Sequence, residues 1–124
     1  MSVTVNMLAI ILAIVAGIAM AVQGSMNSGL AKIIGLLEST LIVHGTATIV
    51  TLLLIFVLKL EKGDFSKVGQ APWYLYLGGL IGVLITYGVV ASIPKLGVAN
   101  ATTLIIAGQV SAAFLIDYLG LFGL

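Results

Sequence analysis

Few side chains in this 124-residue chain are equipped for chemistry, and they are thinly spread. His44 is the single histidine, and Thr48 and Thr51 follow it at helical spacing, so the three share a face. An imidazole in such a strip either bonds to a neighbouring group of the protein or titrates as part of a proton relay. Gln109 stands in a long apolar stretch, where an amide without a partner is costly, and this makes it the first candidate for contact with a solute. Tyr87 brings a phenol to a similar setting. Gln23 and Asn27 lie one helical turn apart and put two amides on one face. Groups of these types are suited to binding and orienting a solute, and equally to packing and hydrogen bonding within the protein. With no cysteine, no Ser/His/Asp set and no paired acids at usable spacing, the inventory speaks against an enzyme, and a lone histidine leaves structural zinc without ligands. No cofactor is expected.

The elements that must position these residues are membrane helices. Hydrophobic residues make up 61% of the chain and charged ones 7%, with a mean hydropathy of +1.30, against about 25% charged in soluble domains. A chain of 124 residues accommodates about four spanning helices of ~20 residues with short connections. The fold class is therefore all-α integral membrane, one domain over 1–124, with helices expected at 5–27, 38–58, 72–93 and 98–118. A net charge of +1 gives no reason to expect a nucleic-acid partner. The first apolar run has no basic residue ahead of it and is as long as a spanning helix, so it reads as a retained helix and not a signal peptide.

Punctuation between the helices is uneven. Gly29, Lys32 and Gly35 suggest a first connection over 28–37, with Ser39 or Thr40 capping the second helix and Glu38 at the positive end of its dipole. Residues 59–67 hold five of the nine charged side chains, and each central Lys or Asp costs roughly 2.5–3.5 kcal/mol inside a bilayer, so this island must lie in water. Pro72 suits the first turn of helix three, and Trp73, Tyr74 and Tyr76 form an interfacial aromatic belt. Pro94 and Gly97 are expected to end that helix in a tight turn. Gly17, Gly78, Gly82 and Gly108 provide small surfaces for close helix packing. Lysine counts leave orientation open: Lys59, Lys62 and Lys67 fall on the side of the N-terminus, Lys32 and Lys95 on the other.

The order of these pieces resembles the YdcZ family within the drug/metabolite transporter superfamily. The matching stretches are Gln23-Gly24-Ser25-Met26-Asn27, Pro72-Trp73 followed by Leu77-Gly78-Gly79-Leu80-Ile81-Gly82, Pro94-Lys95-Leu96-Gly97, and Gly108-Gln109 with Ile116-Asp117-Tyr118-Leu119-Gly120 beyond. The likeness implies a small protein of the bacterial inner membrane, related to the four-helix small multidrug resistance exporters, in which two copies pair antiparallel. Members of the family usually continue into a fifth hydrophobic helix, which this chain approaches at Leu124. The membrane-embedded glutamate of helix one in small multidrug exporters has no counterpart here, so proton exchange by that device is not carried over.

The expected function is accordingly transport of a small solute by alternating access, in an antiparallel, dual-topology homodimer within the lipid bilayer. The alternative is a non-transporting helical bundle that assembles with, or regulates, a partner membrane protein.

Overall fold

The computed structural model describes residues 3–60 and 62–123, with side chains described from Asn6 onward. Four long helices carry the fold: α1 (Val3–Ile34), α2 (Leu36–Leu52, extended by a π-helical turn at Leu53–Val57), α3 (Gly78–Leu96) and α4 (Val98–Leu119). Short 3-10 turns occupy Phe65–Gln70, Trp73–Leu77 and Leu121–Gly123. The four helical stretches long and apolar enough to cross a membrane are Asn6–Ile34, Leu36–Val57, Trp73–Leu96 and Val98–Leu119. The first has 29 residues, about 44 Å of helix against a hydrocarbon core of ~30 Å, so it must tilt or protrude.

Two boundaries differ from the sequence expectation. The connection expected over 28–37 is helical apart from Gly35, so α1 runs to Ile34 and α2 begins at Leu36. A glycine such as Gly29 costs a helix only about 1 kcal/mol, and the surrounding apolar residues outweigh that. Ser39 and Thr40 consequently do not cap: their hydroxyls donate back to the Leu36 carbonyl at 2.9 and 2.7 Å, inside the first turn of α2. Helix three likewise passes through Pro94 and stops only at Leu96, and it begins as a 3-10 turn behind Pro72.

What breaks the chain at both places is a single glycine. Gly35 has φ 108°, ψ 160° and Gly97 has φ 83°, ψ 157°, a region that is essentially glycine-only because a Cβ collides with the backbone there. Each glycine thus folds two helices into a hairpin with a one-residue junction. Gly97→Ala meets no neighbouring atom within 4 Å, so its penalty is conformational. It is expected to lower unfolding stability by about 1–2 kcal/mol, measurable by denaturant titration in mild detergent; an unchanged midpoint would contradict the assignment.

The two hairpins pack in register. α1 packs on α2 and α3, α3 on α4, and α2 on α3. Gly24 lets α1 approach so closely that a Cβ there would lie 3.0 Å from Val89 Cγ1 and 3.1 Å from Ile93 Cδ1. Ser28 and Val90 are buried where α1 meets α3, and the Ser28 hydroxyl donates to the Val90 carbonyl at 3.3 Å. That carbonyl is the one a helix would ordinarily pair with the N–H of residue 94, and proline has none. A hydroxyl from the neighbouring helix thus replaces the bond that Pro94 removes, which is how proline is tolerated within a membrane helix.

The buried residues Gly24, Ser28, Ser39, Thr40, Val90, Ile93 and Ala101 all lie near the glycine junctions. Towards the island the helices bury almost nothing and open grooves separate them. Their outer faces carry large exposed apolar side chains such as Leu12 and Phe114, suited to lipid or to another copy. α4 ends at Gly120, whose left-handed conformation lets its N–H return to the Asp117 carbonyl.

Candidate functional site

The polar strip of α2 faces α3, and here the two helices meet through side chains. His44 Nε2 lies 3.1 Å from Thr86 Oγ1, a hydrogen bond whose donor is set by the imidazole tautomer. Gly82, one turn before Thr86, makes room for the ring: an added Cβ would stand 3.4 Å from His44 Cε1. From this pair an open groove of about 630 Å³ runs between α2 and α3 towards the island, lined by Thr48, Thr51, Gly79 and Val83 and reached by Phe65. Thr48 and Thr51 donate to the carbonyls of His44 and Ala47, at 2.9 and 2.7 Å. Those hydroxyls are therefore satisfied as donors but still present acceptor lone pairs to the groove. The groove is otherwise apolar. Its composition suits a small, mostly apolar solute carrying one or two hydrogen-bonding groups.

The other candidates are dispersed. Gln23 and Asn27 do share a face, and with Val15, Ile18 and Met26 they line a separate hollow of about 430 Å³ along α1. Tyr87 is 42% exposed and is not among the residues lining the His44 groove, because it follows Thr86 and so leaves the face that meets His44. Gln109 is exposed on α4, midway along the helix, and is likewise not among the residues lining the His44 groove. Among the glycines proposed for packing, only Gly82 has a close neighbour; a Cβ at Gly17, Gly78 or Gly108 would meet nothing within 4 Å, so these smooth surfaces face outward from the four helices. Thr86 is the residue that sequence reasoning passed over as a site member. Its signal was present in the spacing Gly82-x-x-x-Thr86, which puts a gap and a hydroxyl on one face.

A second and larger groove, about 850 Å³, opens where the island joins α2 and the aromatic turn before α3. Lys59, Lys62 and Lys67 line it together with Asp64, over an apolar wall that includes Phe56, Phe65 and Tyr76. Phe56 and Phe65 stack, their ring centroids 6.0 Å apart. Lys59 takes φ 49°, a left-handed turn that swings the chain away from the end of α2. Asp64 caps the Phe65–Gln70 turn: its carboxylate accepts from the hydroxyl and the backbone N–H of Ser66, and these bonds hold its pKa below the usual carboxylate value. Among the described residues no cluster of three or more His, Cys, Asp or Glu is placed to hold a metal.

Comparison with curated proteins and with solved structures gave no match. A family model described as "Putative inner membrane exporter, YdcZ" matches residues 8–124, almost the whole chain. With four helices long and apolar enough to cross a membrane and that match, the chain belongs to the YdcZ family and is a multi-pass protein of the inner membrane, of the family so described.

Proposed function

We propose that the protein exports a small, mainly apolar solute by alternating access, and that the working unit is an antiparallel homodimer. The single observation that carries this reading is the groove between α2 and α3, polar at mid-helix around His44 and Thr86 and open towards the island end. Its helices are pinned at the glycine junctions and separate at the other end, which is the geometry of one half of an alternating-access device. The second half needs the opposite orientation. Within one chain the two hairpins run in the same sense, since Ser28 and Val90, 62 residues apart, meet at the same distance from Gly35 and Gly97. An inverted copy must then come from another chain. The outward-facing Gly17, Gly78 and Gly108 surfaces offer it close approach.

Gln109 fits the same scheme. An amide halfway along α4, exposed on the outside of a single copy, is unfavourable against lipid and favourable at a mid-membrane contact with a partner copy or solute. Gln109→Leu is expected to reduce solute efflux from reconstituted vesicles about tenfold, the equivalent of about 1.4 kcal/mol, with expression and helicity intact. Undiminished efflux removes Gln109 from the mechanism.

The orientation is tested by placing one cysteine at Lys62 and, separately, one at Lys95, in a chain that has none of its own. Both positions should be labelled from each side of the membrane. Strictly one-sided labelling would exclude the antiparallel pair, and the absence of any solute flux from purified protein would favour a non-transporting bundle instead.

A further inference from the structure

We propose that the groove at the island is a binding site for the headgroup of an anionic phospholipid. It is separate from the His44–Thr86 groove, although Phe65 borders both. Three features point to an amphiphile with a negative head. First, Lys59, Lys62 and Lys67 line one concavity, and a phosphate diester there would have several ammonium donors within the same groove. Second, the wall facing them is apolar and aromatic, with Ile55, Phe56 and Phe65 continuing from the end of the membrane helix, so the first acyl methylenes have apolar surface to follow. Third, Tyr76 lines the groove, and it belongs to the Trp73–Leu77 turn whose aromatic residues suit the boundary between hydrocarbon and water.

Size and charge agree with that occupant. A volume of about 850 Å³ lies in the range of ordinary ligand sites and admits a glycerophosphate head with the start of its chains. Among the described residues Asp64 is the acid lining the groove, and its carboxylate is already engaged by Ser66. Counting Glu61 as well, which lies outside the described residues, the segment holds three cations against two carboxylates. Basic grooves beside membrane helices recognise anionic headgroups through this kind of juxtaposition. In an antiparallel pair one such site would face each leaflet, so lipid composition on either side would bear on the relative stability of the two orientations.

Trp73 is the only tryptophan and sits one 3-10 turn before Tyr76, so its fluorescence reports on this groove. The full chain would be reconstituted in phosphatidylcholine vesicles containing doxyl-labelled phosphatidylglycerol or, in parallel, doxyl-labelled phosphatidylcholine. The expected result is a preference for the anionic lipid in quenching Trp73 that falls by roughly tenfold or more in K59Q/K62Q/K67Q. The preference should survive in K59R/K62R/K67R, which keeps the charge, and in K32Q/K95Q, which alters the opposite end. Equal quenching by both lipids in the unmodified chain would overturn the proposal, as would an undiminished preference in K59Q/K62Q/K67Q. Reversal of the quenching by millimolar inorganic phosphate would assign the site to a soluble phosphoester and equally overturn the lipid assignment. If K59Q/K62Q/K67Q does not fold, loss of the preference in K32Q/K95Q or in K59R/K62R/K67R remains sufficient to refute it.

Discussion

Replacing Ser28 with alanine is expected to destabilise the helix bundle by about 1–3 kcal/mol, because it leaves the buried Val90 carbonyl without a partner. The specific test of this account is rescue. Pro94→Ala restores an N–H at the position from which α3 itself pairs with the Val90 carbonyl. Ser28→Ala combined with Pro94→Ala should therefore lose much less stability than Ser28→Ala alone, giving a coupling energy well away from zero in a double-mutant cycle. Denaturant titration in detergent measures it. Additive effects of the two substitutions would show that the hydroxyl and the proline are unrelated.

The second large effect is on transport. His44→Leu removes the hydrogen bond between α2 and α3 and the polar end of the groove, and solute efflux from vesicles is expected to fall about tenfold or more. Thr86→Val should produce a smaller loss, and the double variant should be little worse than His44→Leu, because the two side chains form one pair. His44→Gln separates two roles. Glutamine can still hydrogen-bond to Thr86 but cannot exchange a ring proton. Recovery of efflux in His44→Gln would mean that His44 holds the helices in place; failure to recover, with loss of the dependence of efflux on pH, would mean that the imidazole handles protons. Full activity in His44→Leu would remove the groove from the transport path.

Both effects depend on features that the sequence exposes only in part. Pro94 and Gly97 were visible as breakers, yet the proline does not break the helix. Its missing N–H is compensated by Ser28 from another helix, and no local pattern announces a partner 62 residues away. Gly29 and Gly35 looked alike in sequence, but only Gly35 leaves the helical region. The strip His44, Thr48, Thr51 was legible from its spacing; that Thr86 and Gly82 lie opposite it was not.

The charged island was plain from composition, whereas the groove that its three lysines line together with an apolar wall was not. Gln109 and Tyr87 stood out equally as polar groups in apolar helices, and the structure sets both apart from the groove that holds His44.

By itself the sequence determined the membrane class, the number of helices, the island that divides them and the family, because each of these follows from local hydropathy and short motifs. Only the tertiary structure decided which polar side chains meet and where the helices are pinned or apart. The physical reason is the solvent. In a bilayer every outward face is apolar, so hydropathy does not distinguish a core-facing residue from a lipid-facing one, and helix register depends on small residues and a few hydrogen bonds. Gly24 against Val89, Ser28 against Val90 and His44 against Thr86 are contacts of that kind.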